Sequence, residues 1–288
     1  MKTIKQLKGK KVLVTGAGGY IGKHAVAALC DAGADTIILN HRAEQVDPRA
    51  RRIDADIFSG SPTIYQELDC PDICLHLAWR DGFAHASDAH MQNLSNHYTF
   101  LRNMLEGGLM HLAVMGTMHE VGYFKGQIDE NTPCNPDSMY GIAKYALRKA
   151  CFLLAKKYGA CLQWLRAYYI MGDDRSNHSV FSKMLIAEES GQMSFPFTSG
   201  THRFDFIDVD ALAEQIALAL SQTEVRGIIE CCSGKPVSLG EQAEKFIADN
   251  GLRITLDYGK FKEPPYESPG VWGSAKKIEQ IRRIAANG

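Results

Sequence analysis

Short unbroken apolar runs punctuate the chain as far as Gly172, and between them apolar positions recur every three or four residues. Lys11-Val12-Leu13-Val14-Thr15 is the first such run and reads as a buried strand. Gly16-Ala17-Gly18-Gly19-Tyr20-Ile21-Gly22 follows directly, then a helical pattern from His24 to Cys30 that closes near Gly33, then a second strand at Thr36-Ile37-Ile38-Leu39. Further strands are predicted at Arg52-Ile53-Asp54, Ile73–Leu77, His111–Met115 and Leu162–Leu165, with helices over Pro62–Leu68, Asp88–Glu106 and Met139–Tyr158. The last helix ends in Lys156-Lys157-Tyr158-Gly159, basic residues in the final turn before a glycine stop. Strands alternating with helices predict an α/β fold, a doubly wound parallel sheet covered on both faces.

Past Gly172 the pattern turns irregular. Helices are predicted at Val180–Ser190, Val209–Ser221 and Leu239–Asn250, with a short strand at Gly227–Cys231. Pro264-Pro265 and Pro269-Gly270 break the chain before a final helix near Lys276–Ile284. Residues 1–172 are therefore expected to form a dinucleotide-binding domain that also carries the catalytic residues. Residues 173–288 are expected to form a smaller α/β lid for the substrate, with some segments returning to the sheet.

Composition removes several function classes. The 288 residues hold 32 basic and 33 acidic side chains and no basic stripe, so no nucleic-acid partner is expected. No apolar run approaches the ~20 residues of a membrane span, and Met1–Lys8 is too polar for a signal peptide. Cys30, Cys70, Cys74, Cys134, Cys151, Cys161, Cys231 and Cys232 form no Cys-x-x-Cys pair, so reduced thiols in the cytoplasm and no bound metal are expected.

The strand, glycine turn, helix and strand between Lys11 and Leu39 supply the context of a Rossmann-type dinucleotide site. Glycines let backbone N–H groups approach a pyrophosphate at a helix N-terminus, where partial positive charge favours anions. Tyr140 and Lys144 stand four residues apart and so share a helix face. An ammonium beside a phenol stabilises the phenolate, and such a phenol can exchange a proton with a carbonyl or alcohol while hydride moves.

Over nearly its whole length the sequence resembles the extended short-chain dehydrogenase/reductase family of nucleotide-sugar epimerases, dehydratases and ketoreductases. Gly16, Gly19 and Gly22 match its glycine turn, with Tyr20 and Ile21 beside them. Asp56, followed by Ile57, matches the acidic residue that contacts adenine. His76-Leu77-Ala78-Trp79 is similar to its His-x-Ala-Ala segment near the nicotinamide ribose, and Asn93 falls where an asparagine supports the active-site helix. Leu165 to Gly172 is similar to Leu-Arg-x-x-Asn-Val-Tyr-Gly, with Tyr169 in place of the asparagine. Ser233 to Leu239 resembles the late Gly-x-x-x-Ser-Leu element. The resemblance implies a triad of Thr117, Tyr140 and Lys144, the last two also contacting cofactor.

Departures from the family pattern narrow the reaction. Met118 and His119 replace the Asp-Glu of dehydratases, so hexose dehydration is not expected. His119 and His178 are candidates for a second acid–base pair, with substrate hydrogen bonding or simple surface placement the favoured reading of each. After the second strand, Asn40-His41-Arg42 has no acid for the ribose hydroxyls of NAD and offers a guanidinium to the 2′-phosphate of NADP. NADP(H) is expected over NAD(H). Trp79, Arg80, Met118, His119, Ser179, Phe181 and Arg203 are the candidate substrate contacts, Arg203 displaced by one residue from the family's Arg-Asp-Phe element.

An NADPH-dependent reductase of a keto-deoxy-sugar on a nucleoside diphosphate is the reading favoured. A 4-epimerase with bound NAD and a catalytically silent NADP-binding regulator are the alternatives. The stripe Met91, Leu94, Tyr98, Leu101 and Leu105, together with the resemblance, implies a homodimer through a four-helix bundle.

Overall fold

The apolar runs become the strands of one parallel sheet. The computed structural model describes residues 7–39, 44–172, 179–263 and 268–287. The first half runs β1 (Lys11–Thr15), α1 (Tyr20–Asp31), β2 (Asp35–Leu39), β3 (Arg51–Ile53), α2 (Ile64–Glu67), β4 (Ile73–His76), α3 (Ala89–Gln92), α4 (Leu94–Gly107), β5 (His111–Thr117), β6 (Gly126–Ile128) and α5 (Met139–Tyr158). The second half runs β7 (Cys161–Ala167), β8 (Tyr169–Met171), α6 (Val180–Glu189), β9 (Ser194–Pro196), β10 (Arg203–Asp208), α7 (Val209–Leu220), β11 (Gly227–Cys231), β12 (Pro236–Ser238), α8 (Leu239–Asp249), β13 (Thr255–Asp257), β14 (Gly270–Gly273) and α9 (Lys276–Asn287).

The main sheet has the order β11-β7-β5-β4-β1-β2-β3, every pairing parallel. Its side chains alternate between two cores. Val12, Val14, Ala113 and Met115 pack with Ala25, Leu29, Leu212, Ile216 and Ile281 from α1, α7 and α9. Leu13, Leu112, Val114 and Trp164 pack with Phe100, Met104, Leu147 and Cys151 from α4 and α5. Each fully buried Leu, Ile or Val contributes roughly 1.5–3 kcal/mol, which is why continuous apolar runs mark a sheet covered twice. The fold is Rossmann-like α/β, and no helix among the described residues is long and apolar enough to cross a membrane.

A second sheet, β12-β10-β14-β6 with β8 beside β10, builds its own core around Phe204, Phe206, Phe181, Tyr168 and Val271. The segment after Gly172 divides between the two. Strand β11 and helices α7 and α9 complete the main sheet, whereas β10, β12 and β14 belong to the second.

Two predicted elements change. Asp88–Glu106 is two helices joined at Asn93, whose amide donates to the Ala89 carbonyl at 2.8 Å and so competes with the helical ladder. Pro62–Leu68 shrinks to the single turn of α2. Helix α5 matches its predicted span, capped by Ser138, which accepts from Gly141 N, and closed by Gly159 at φ 69°.

Candidate active site

Parallel strands deliver their C-terminal ends to one edge, and the candidate chemistry gathers there. Thr117 ends β5, is 6% exposed, and caps the 3₁₀ turn Met118–Glu120. Its hydroxyl accepts from His119 N at 3.3 Å, and the Glu120 carboxylate accepts from Thr117 N at 2.9 Å. Tyr140 sits in the first turn of α5 with its phenol beside the Thr117 side chain. Lys144, one turn on, is 2% exposed and donates to the Met115 carbonyl at 2.9 Å.

Sequence reasoning expects Lys144 to lower the phenol's pKa. Instead, burial pushes Tyr140 up to about 12, with the Thr117 side chain pulling the other way and Glu120 adding to the rise. The residue as a whole is half-buried, but protein crowds its hydroxyl, so desolvation acts on the charge-bearing atom. Lys144 is itself lowered to about 7 by desolvation, against the pull of Glu120. A phenol that holds its proton is suited to donate it, and a lysine near 7 is ready to change charge at neutral pH.

A cluster of histidines surrounds this group. His85 stacks on Tyr140 at 5.2 Å and 13°, and lies 4.2 Å from His119. The backbone N–H of Tyr140 donates to the His85 carbonyl at 3.0 Å, so loop 81–88 is docked on the start of α5. His90 accepts from Trp79 Nε1 at 3.0 Å, its other nitrogen 3.0 Å from the Ala84 carbonyl. His76 bridges Thr15 Oγ1 at 2.8 Å and His97 Nδ1 at 2.9 Å. Desolvation lowers His97 and His119 to about 3, and His76 well below its ordinary value, so all three are neutral at physiological pH.

Behind Thr117 lies a buried ion network. Glu120 Oε1 also accepts from Trp164 Nε1 at 2.7 Å, and Oε2 is 3.1 Å from Arg148 and 3.9 Å from Arg166. Arg166 pairs in turn with Glu230 at 2.7 Å, and Glu230 accepts from Tyr168 at 2.8 Å. One carboxylate thus ties the end of β5 to α5 and β7.

The glycine turn fits a dinucleotide. Gly16 takes φ +73°, and a Cβ there would stand 2.6 Å from Ala78 N. A Cβ on Gly22 would meet the Gly16 carbonyl at 2.1 Å. Gly19 caps α1 with no side-chain hydrogen bond and no acid in the first turn, leaving N–H groups for an anion. Leu77 N donates to Thr15 O and Ala78 N to Thr15 Oγ1, so segment 76–79 runs against this turn. Tyr20 and Ile21 open α1, with Ile21 against the main core. Asp56 is exposed and accepts from Phe58 N at 2.8 Å, while Ile57 is buried in the sheet core. Asn93 holds the α3–α4 junction described above.

Other candidates fall elsewhere. Met118 and Phe181 are turned into the second core, where Phe181 packs on Phe206 at 5.8 Å. Tyr169 packs against Phe204 with ring centres 4.4 Å apart and planes tilted by 38°. Arg80 is exposed beside Asp81, and the Ser179 hydroxyl caps α6 by accepting from Ser182 N. Arg203 is an exposed residue of β10 that donates to the Pro236 carbonyl and lines a separate groove with Glu241, Glu244 and Tyr258. The one-residue displacement seen in the sequence explains this, because a strand turns successive side chains to opposite faces. Asn40, His41, Arg42 and His178 lie outside the described residues. Sequence reasoning missed His85, His90 and His97, although six of the ten histidines fall between His76 and His119.

The family model described as NAD dependent epimerase/dehydratase family matches residues 12–232. The chain is 43% identical over 273 residues to a protein of Aggregatibacter actinomycetemcomitans named dTDP-6-deoxy-L-talose 4-dehydrogenase (NAD(+)), covering 91% of this chain and 99% of the relative. Among solved structures, UDP-N-acetylglucosamine 4-epimerase from Methanobrevibacter ruminantium M1 superposes with TM-score 0.81 at 20% identity, covering 97% of this chain and 98% of that one. The dTDP-glucose 4,6-dehydratase of Streptomyces venezuelae, with NAD bound, gives TM-score 0.79 at 21% identity over 94% of this chain and 90% of that one.

Proposed function

The chain belongs to the NAD dependent epimerase/dehydratase family, whose members are short-chain dehydrogenase/reductase-type oxidoreductases acting on nucleotide sugars, and from this we propose that it interconverts a 4-keto and a 4-hydroxy deoxy-sugar carried on a nucleoside diphosphate. The observation that carries the reading is the placement of the Tyr140 phenol beside Thr117 at the end of β5, with Lys144 one turn away on α5. A bound nicotinamide would supply or accept the hydride. Thr117 would hold the sugar oxygen, and Tyr140, protonated up to about pH 12, would give that oxygen its proton as the carbonyl is reduced. Lys144 would set the charge beside the phenol, and the neutral histidines would keep the pocket dry and uncharged. Reduction and dehydrogenation are one reaction run in two directions, so the relative named as a 4-dehydrogenase supports the same chemistry.

The C-terminal segment 173–288 is read as the main substrate-binding part. For the cofactor, Asn40-His41-Arg42 favours NADP(H), whereas the 43%-identical relative is named for NAD(+). Dissociation constants for the two cofactors decide between them. A homodimer through α3–α4 and α5 is supported by exposed Met91, Tyr98, Ile142, Phe152 and Leu153. Leu101 and Leu105, part of the stripe seen in the sequence, are buried in the sheet core.

The test is Tyr140→Phe, which keeps the ring and removes the proton. Turnover of a dTDP-linked 4-keto-6-deoxyhexose should fall at least ~100-fold, with cofactor affinity little changed. Activity retained in Tyr140→Phe refutes the mechanism. A wild-type protein that binds cofactor but reduces no keto-sugar nucleotide points to a regulator, and one that equilibrates 4-epimers without consuming cofactor points to an epimerase.

A further inference from the structure

We propose that Trp79 is a positioning residue for Lys144: its indole face holds the ammonium against the Met115 carbonyl, beside the Tyr140–Thr117 pair. The significance for turnover rests on the function proposed above. Lys144 Nζ lies 3.9 Å from the Trp79 ring centroid and 2.9 Å from Met115 O. At 2% exposure the ammonium is cut off from bulk water, and one carbonyl cannot satisfy three donors. An aromatic face attracts a cation, more strongly once both are desolvated. The segment His76-Leu77-Ala78-Trp79 is similar to a family segment with alanine at the last place, where this chain carries an indole.

The indole is itself fixed from two sides. Its N–H donates to His90 Nδ1 at 3.0 Å, and its plane stacks on His97 at 4.5 Å and 19°. His97 is hydrogen-bonded to His76, and His76 to Thr15, the residue before the glycine turn. A continuous set of contacts therefore runs from the end of β1 to the lysine. The other groups that face Lys144 are Glu120, Cys151, His76 and His97, and Tyr140 packs edge-on against the same indole at 6.2 Å. The histidines are neutral, the Cys151 thiol is raised to about 12 by burial, and Glu120 is divided among Trp164, Arg148 and Arg166. The indole thus supplies an aromatic face to an ammonium whose other neighbours are neutral or already paired.

The experiment is a titration of the lysine, independent of turnover. Protein labelled with ¹⁵N at lysine Nζ is followed by NMR across pH, the Lys144 signal being assigned by its loss in Lys144→Met. In Trp79→Leu the titration midpoint should fall by roughly half to one and a half pH units, because the charged form loses its aromatic partner. Trp79→Phe should restore it to within about 0.3 units, a rescue that requires the aromatic face. A residue that merely fills space predicts the opposite sign, since the smaller leucine admits water and water favours the ammonium. A midpoint that rises or stays put in Trp79→Leu, or that falls equally in both variants, overturns the proposal. If Trp79→Leu does not fold, Trp79→Met replaces it with the same expected fall. Failure of the wild type to turn over any keto-sugar nucleotide would sink the proposed function and leave this titration to decide the role of Trp79.

Discussion

Replacing Lys144 by methionine should abolish a specific part of the pH dependence of stability. Lys144 is buried, and desolvation lowers it from the usual 10.5 to about 7. Below about pH 7 the amine is charged in folded and unfolded chains alike, and the folded state carries the whole cost of burying that charge. Between about pH 7 and 10.5 the folded chain releases the proton while the unfolded chain still binds it, so stability rises with pH in that window. The span corresponds to roughly 3–5 kcal/mol. Lys144→Met also strands the Met115 carbonyl, at a cost of about 1–3 kcal/mol that does not vary with pH. Urea unfolding of both proteins, from about pH 6 to about pH 10, gives the difference in stability at each pH. Other titrating groups cancel in that difference when they do not contact residue 144. The wild type should gain on the variant steadily above neutrality. A flat difference would show that the ammonium is not desolvated, and the site's electrostatics would have to be redrawn.

Arg42→Ala should weaken NADP(H) binding about tenfold or more and leave NAD(H) nearly unchanged, as measured by calorimetry. Equal losses for both cofactors would remove the phosphate contact. Leu153→Glu places a charge on a side chain that is 72% exposed in the monomer and should convert a dimer to monomers in light scattering at micromolar concentration. A wild-type protein already monomeric there would end the dimer proposal.

The main sheet was readable because its strands are buried on both faces. His111–Thr117 and Cys161–Ala167 are buried at every position, and such runs stand out in any sequence. Helix α5 was readable from its caps. The second sheet was not, because β6, β8 and β12 have three residues each, too few for a two-residue period to show. Thr117, Tyr140 and Lys144 came from spacing and family resemblance, but the inverted pKa of the phenol came from enclosure, which no local pattern encodes. His85, His90 and His97 reach the site from a loop and two helices. Glu120 carries no local sequence signal, and its meeting with Trp164, Arg148 and Arg166 is a long-range contact that one sequence does not disclose.

The docking of loop 81–88 on α5 bears on how the substrate range of such a protein could be altered. The amide of Tyr140 belongs to the first turn of a helix, where N–H groups lack intrahelical partners, and it is satisfied by the carbonyl of His85. The loop therefore serves as a splint for the turn that carries the phenol. Loops are the usual place to vary specificity, because changes there leave the core alone. Here a lengthened or reshaped loop would loosen the reactive turn as well. Selection for a new sugar through residues 81–88 should therefore recover variants slow on every substrate, until a second change re-ties the start of the helix.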